Sequence, residues 1–143
     1  MIGGPYRPFL FCFCRRLLLL MFYVFHRWRV EGKHHVPLTG GCLLAANHVS
    51  YLDPPALGCA AMKRVVRFMA RDTLFKKGFG HWFMTGVAAI PISRERGDVG
   101  ALKRCIQVLK AGDCVGIFPE GTRSRDGNLQ PVKPGIGFLI MAA

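Results

Sequence analysis

Four short apolar runs alternating with helical stretches limit this chain to one broad architecture. The runs cover residues 42–46, 65–70, 86–92 and 114–118, each 5–7 residues long. Runs of that length read as strands buried in a sheet. Between them, residues 55–62 read as a short helix, with Lys63 and Arg64 suiting its C-terminal end. Residues 98–110 carry Val99, Leu102, Ile106 and Leu109 at helical spacing behind Asp98, and Gly112 closes that helix. Residues 135–143 open another. The alternation predicts an α/β fold with a mostly parallel sheet flanked by helices. Arg67 interrupts the second run, and Pro91 places the third at an edge or a strand end.

Chemistry in such sheets gathers at the carboxyl ends of the strands. Three polar segments follow strand ends here. The first, Asn47-His48-Val49-Ser50-Tyr51-Leu52-Asp53-Pro54, follows run 42–46. Residues five apart on an ideal helix point about 140° away from each other, so His48 and Asp53 meet only if the segment between them is a loop. Asp53 before Pro54 reads as the cap of the next helix. A carboxylate on one imidazole nitrogen leaves the other free as a base. The second segment, Ser93-Arg94-Glu95-Arg96, follows run 86–92. The third, Pro119-Glu120-Gly121-Thr122-Arg123-Ser124-Arg125, follows run 114–118. Guanidinium groups present a planar donor fork suited to phosphate, and Gly121 lets the backbone approach a ligand closely. Glu120 orders these arginines or binds a substrate hydroxyl. No serine or cysteine sits in a GxSxG-type elbow, so a covalent acyl-enzyme is not suggested. Direct attack by a substrate hydroxyl, deprotonated by His48, is the remaining route.

The N-terminal part points to a lipid surface. Residues 8–29 combine Phe, Leu and Trp with Arg15, Arg16, Arg27 and Arg29, and their uncharged runs are about half the roughly 20 residues a spanning helix needs. No small-residue cleavage site follows Phe25. Residues 1–30 therefore read as an N-terminal helix lying in the membrane interface, with core packing or a re-entrant anchor as alternatives. Residues 31–143 form one domain. Residues 73–85 mix Phe, Trp and Lys around Gly78 and Gly80, fitting a second membrane contact, a lid or an interrupted amphipathic helix.

Twenty Lys and Arg against eight Asp and Glu give a net charge of +12, which calls for an anionic partner. No RNP-like or zinc pattern accompanies the charge, so nucleic acid is not the expected partner. Six cysteines without CxxC spacing read as reduced thiols of a cytosolic-side protein, and no metal site is expected. His34-His35 reads as an exposed loop.

Taken together, these blocks resemble the glycerolipid acyltransferases of the 1-acylglycerol-3-phosphate acyltransferase (PlsC-like) family. Asn47-His48-x4-Asp53 is similar to its HxxxxD block, and Phe118-Pro119-Glu120-Gly121-Thr122-Arg123-Ser124 to its FPEGTRS block. Gly86-x3-Ile90-Pro91-Ile92-Ser93-Arg94 is similar to the intermediate block. The resemblance covers about residues 30–140. It implies transfer of an acyl group from acyl-CoA or acyl-carrier protein, as donor substrate and without a cofactor, to the sn-2 hydroxyl of 1-acyl-sn-glycerol 3-phosphate, giving phosphatidic acid. Another lysophospholipid or glycerol 3-phosphate is the alternative acceptor, and a silent membrane-binding remnant the alternative class. By resemblance His48 is the general base and Asp53 its orienter, while Arg94, Glu120, Gly121, Thr122 and Arg123 hold the phosphate end. The implied partners are lysophosphatidate, the acyl donor and a phospholipid surface, at the cytoplasmic face of the cell membrane. The family pattern continues beyond the FPEGTRS block into a further strand, so the chain ending at Ala143 is expected to lack the C-terminal part.

Overall fold

The computed structural model describes residues 6–92 and 97–142, with residues 97 and 98 described by their backbone alone. Arg94, expected at the phosphate end, lies outside the described residues, as do Ser93, Glu95 and Arg96. In chain order the elements are α1 (Pro8–His26), β1 (Cys42–Ala45), α2 (Asp53–Ala60), β2 (Val66–Arg71), α3 (Phe79–Gly86), β3 (Ile90–Ile92), α4 (Gly97–Lys110), β4 (Cys114–Ile117) and α5 (Gly135–Ala142). The four strands form one sheet in the order β1-β4-β2-β3, and every pairing is parallel. All four carboxyl ends therefore open on the same edge, as the alternation of elements requires. Pro91 sits on β3, the edge strand, where its missing N–H removes no interior ladder bond.

Strand alternation sorts the core into two layers. Leu43, Met69, Val115 and Ile117 point to one face and meet Cys105, Val108 and Leu109 of α4 and Leu139 of α5. Cys42, Leu44, Val66, Phe68 and Cys114 point to the other, where Ala61 closes the layer beyond α2. Fully burying an aliphatic side chain of this size stabilises by about 1.5–3 kcal/mol, so the α4 layer is the main source of cohesion. The buried cysteines behave as small hydrophobes. Burial pushes the Cys105 thiol up to about 11, and burial together with neighbouring Cys42 pushes Cys114 up to about 12.

Several local expectations are corrected. The apolar run 86–92 is not one strand: Gly86 ends α3 and only Ile90–Ile92 pair. α1 packs closely against Gly86, where a side chain would overlap Leu10. Arg67 does not break β2. It lies within the strand, buried, with its guanidinium Nε 2.9 Å from the Asp113 carboxylate. Arg64 does not serve the end of α2 but donates to the carbonyls of Pro37, Gly40 and Gly112 at 2.8–3.1 Å, tying the connector before β1 to the turn before β4.

α1 packs on α2 and α3, burying Phe22 and passing the Arg15 carbonyl over Cys59. Arg7 holds its N-terminal end, donating its N–H to the Gly86 carbonyl at 3.1 Å and setting its guanidinium 5.0 Å from the Trp82 ring centre. The opposite side of α1 is an exposed apolar stripe: Phe9, Phe13, Leu17, Leu20 and Val24, spaced at helical intervals. By length and composition α1 is also apolar enough to cross a membrane.

One interior position links the fold to the carboxyl edge. Gly116 of β4 pairs with Phe68 of β2, and the Phe68 ring lies over the glycine where any side chain would overlap it. Replacing Gly116 with Ala is expected to destabilise the protein by about 1–3 kcal/mol through overpacking. Gly100→Ala, at an exposed helical position with open space around it, is expected to stabilise by up to about 1 kcal/mol. Denaturant unfolding of both variants measures the contrast.

Candidate active site

Two loops leave neighbouring strands at the carboxyl edge and close on each other. β1 and β4 pair from Cys42 opposite Cys114 to Ala45 opposite Ile117. The ladder then runs on past the strands, the Ala46 N–H donating to the Ile117 carbonyl at 3.2 Å. At the matching offset beyond, the His48 N–H donates to Glu120 Oε1 at 3.1 Å. The Ser124 N–H in turn donates to the His48 carbonyl at 2.7 Å. His48 is thereby held by its backbone on both sides by the 119–125 loop.

Its side chain is fixed equally well. His48 Nδ1 lies 2.8 Å from Asp53 Oδ2, and the same oxygen accepts the N–H groups of Val49 and Ser50 at 2.7 Å each. The residues between form a tight loop, the condition for His48 and Asp53 to meet, closed by the Leu52 N–H on the Ser50 hydroxyl at 3.1 Å. With Nδ1–H donating to the carboxylate, Nε2 carries the free lone pair. The imidazole lies nearly parallel to Phe118, centroids 4.1 Å apart and planes 19° apart, and Phe118 stacks in turn on Phe68 at 6.1 Å. That stack fixes the imidazole plane.

Asp53 departs from the expected capping role. It is the first residue of α2, and its carboxylate serves the preceding loop rather than the helix's own N–H groups. Partial burial pushes the Asp53 carboxyl up, but the Ser50 N–H, His48 and the Val49 N–H together outweigh this and hold it below the usual carboxylate range.

Glu120 departs from the phosphate end. It is 5 % exposed, with Oε1 on the His48 N–H and Oε2 buried without a hydrogen-bond partner among the described residues. Its side chain is thus engaged with the backbone of the His48 loop rather than with the arginines of its own loop.

Gly121 and Thr122 do face the site. Together with His48 they line a cavity of about 680 Å³ much of whose wall is apolar, with Phe68, Leu102 and Ile136 among its residues. Gly121 sits at φ +66°, a left-handed conformation that glycine adopts without strain. Arg123 stands outside that wall: its guanidinium lies 3.6 Å above the Tyr51 ring and donates to the Tyr51 hydroxyl at 2.8 Å, tying the two loops across the rim. Beyond it, Asp126 accepts from Asn128 and from the Ser124 hydroxyl, which hold its carboxyl down to about 2. Sequence reasoning missed Tyr51, Phe118 as a stacking partner, and the cavity cations Arg71 and Lys133. Only Phe118 and Tyr51 sat inside noted motifs; Arg71 and Lys133 carried no spacing signal.

Asp53→Asn tests the electrostatics. The folded-state pKa lies below the unfolded value, so the carboxylate's stabilisation is present above about pH 4 and lost as pH falls through the folded pKa. The variant is expected to be about 1.5–3 kcal/mol less stable near neutral pH, the difference shrinking in acid. Unfolding free energies measured from pH 3 to 7, a window set by the ordinary carboxylate value of about 4, follow both effects.

Residues 27–143 match the family model described as Acyltransferase. The chain is 34% identical over 123 residues to a chloroplastic 1-acyl-sn-glycerol-3-phosphate acyltransferase of Brassica napus, covering 84% of this chain and 35% of that protein. It is 30% identical to the 1-acyl-sn-glycerol-3-phosphate acyltransferase of Bacillus subtilis, covering 86% of this chain and 61% of that one. Among solved structures it resembles the 1-acyl-sn-glycerophosphate acyltransferase PlsC of Thermotoga maritima, with a TM-score of 0.63 at 30% identity, over 77% of this chain and 43% of that one. The chain thus spans between about a third and three fifths of these relatives' lengths. With the HxxxxD and FPEGTRS loops interlocked at the carboxyl edge of a parallel sheet, the chain belongs to the acyltransferase family.

Proposed function

We propose that this chain carries the acyl-transfer site of a 1-acyl-sn-glycerol-3-phosphate acyltransferase, forming phosphatidic acid from lysophosphatidate and an acyl-CoA or acyl-carrier-protein thioester. The observation that carries the reading is the His48–Asp53 pair on the wall of the cavity that Gly121 and Thr122 also line. His48 Nε2 takes the proton of the acceptor hydroxyl as its oxygen attacks the thioester carbonyl. Asp53 stabilises the imidazolium that forms and holds the ring in its tautomer. When the tetrahedral intermediate collapses, the carbon–sulfur bond breaks and the imidazolium returns the proton to the leaving thiolate. Glu120 and Ser124 keep the histidine's backbone in place throughout. The apolar wall suits an acyl chain, and the cavity volume falls in the range of small-molecule sites. Gly121 and Thr122 from the cavity side, Arg123 from the rim and Arg94 complete the phosphate end.

The acceptor and product are amphiphiles, and the exposed stripe of α1 offers a face for the same surface. Phe13, Leu17 and Leu20 enter the interface while Arg15, Arg16, Arg27 and Arg29 meet headgroups. Free thiols and a water-soluble donor support a location for this surface at the cytoplasmic side of the cell membrane.

His48→Ala is expected to lower phosphatidate formation from lysophosphatidate by about 10²–10⁴-fold with either donor. Equal turnover by the two proteins would remove His48 from the chemistry. Independently, Phe13→Asp combined with Leu17→Asp is expected to weaken sedimentation with phosphatidylglycerol-containing vesicles at least about tenfold, since each apolar residue buried contributes about 1.5–3 kcal/mol. Undiminished binding would show that α1 does not carry the contact.

A further inference from the structure

The cavity beside His48 contains a cation that none of the recognised motifs supplies. Lys133 lies on the loop between β4 and α5, and its backbone is pinned on both sides: its N–H donates to the Pro119 carbonyl at 3.0 Å and its carbonyl accepts the Ile136 N–H at 3.1 Å. Its side chain crosses directly over Gly121. A Cβ at position 121 would stand 2.5 Å from Lys133 Cε and 2.8 Å from Nζ, so the lysine occupies the space that the glycine leaves open. Lys133, Gly121, Thr122 and His48 line the same cavity.

The charge balance of that wall is one-sided. It contains Arg71 and Lys133 and no Asp or Glu among the described residues. Glu120, next to Gly121 in sequence, is turned away and buried on the His48 N–H. Lys133 makes no ion pair among the described residues. Arg123 is engaged with Tyr51 at the rim and does not line the cavity. A compact ammonium is well suited to a phosphate as a point charge.

We infer that Lys133 binds the phosphate monoester of the acceptor and is a specificity-determining residue for anionic acceptors. This rests on the acyltransferase reading. In lysophosphatidate the sn-2 hydroxyl and the phosphate sit on adjacent carbons, so a hydroxyl delivered to His48 brings its phosphate within a few bond lengths. Gly121 then has a second role: its missing side chain lets the ammonium lie against the FPEGTRS loop, on the same wall as the base.

Two measurements on the full chain in detergent test this, one of them independent of turnover. In the first, reductive methylation of Lys133 is followed by peptide mass spectrometry in the presence of lysophosphatidate, of the monoacylglycerol with the same chain, or of coenzyme A. Lysophosphatidate is expected to slow modification of Lys133 at least about fivefold and monoacylglycerol to leave it unchanged. Equal modification in all samples, or protection by coenzyme A alone, which would assign the lysine to the donor's phosphates, overturns the proposal. In the second, Lys133→Met is expected to raise KM for lysophosphatidate about tenfold or more while KM for the acyl donor stays within about twofold, and Lys133→Arg to recover most of the loss. An unchanged lysophosphatidate KM in an active Lys133→Met protein overturns it. Absence of turnover in the wild-type chain would count against the acyltransferase reading alone, and the protection experiment would still decide for or against Lys133.

Discussion

The parallel pairing of β1 with β4 is the constraint on which the site depends. β4 follows β1 in sequence by three crossovers, yet it is placed beside β1, with Ala45 opposite Ile117. His48 and Glu120 each lie three residues beyond that last pair, so the register alone brings them level. A shift of one residue would exchange the two faces of β4 and move Glu120 away from the His48 N–H. The interlock of the two loops is thus a property of sheet register. It requires no contact unique to the loops before they meet.

Within that frame the histidine is held by unusually many groups for a partly exposed residue. Its carbonyl, its N–H, its Nδ1 and its ring face each have a partner, from Ser124, Glu120, Asp53 and Phe118 respectively. Among the described residues nothing engages Nε2, which is left for a substrate. Pre-organisation of this kind spares the reaction the cost of ordering the base. Asp53 concentrates three donors on a single oxygen, which is why its carboxylate stays ionised below the usual range despite partial burial.

Much of this was legible in the sequence, for physical reasons. Short apolar runs separated by helical stretches leave few alternatives to a parallel sheet, and chemistry at the carboxyl edge follows from that. The separation of His48 and Asp53 showed that they could meet only across a loop, and the structure has that loop and that contact. What was not legible depended on tertiary contacts. The run 86–92 is apolar throughout, and its pattern does not reveal that the helix ends at Gly86, under Leu10, before the chain turns at Ala88 (φ +65°) into the strand. Arg67 looked like a strand breaker because its partner, Asp113, lies far away in sequence. Glu120 looked like part of a phosphate site because arginines stand close by in sequence, whereas its buried carboxyl group faces a backbone N–H contributed by the loop after β1. Lys133 carried no signal of its own, since only the folded loop lays it over Gly121.

The Phe68–Phe118–His48 stack has a consequence for how the site tolerates change. Phe68 can lie over β4 only because Gly116 beneath it has no side chain, and Phe118 and the imidazole are layered from there outward. The orientation of the base is therefore set from inside the protein, through three flat rings in series, and not only by its carboxylate. A methyl group's worth of volume in the interior would reach the active site as a tilt, leaving the hydrogen-bonding residues intact and the lone pair misaimed.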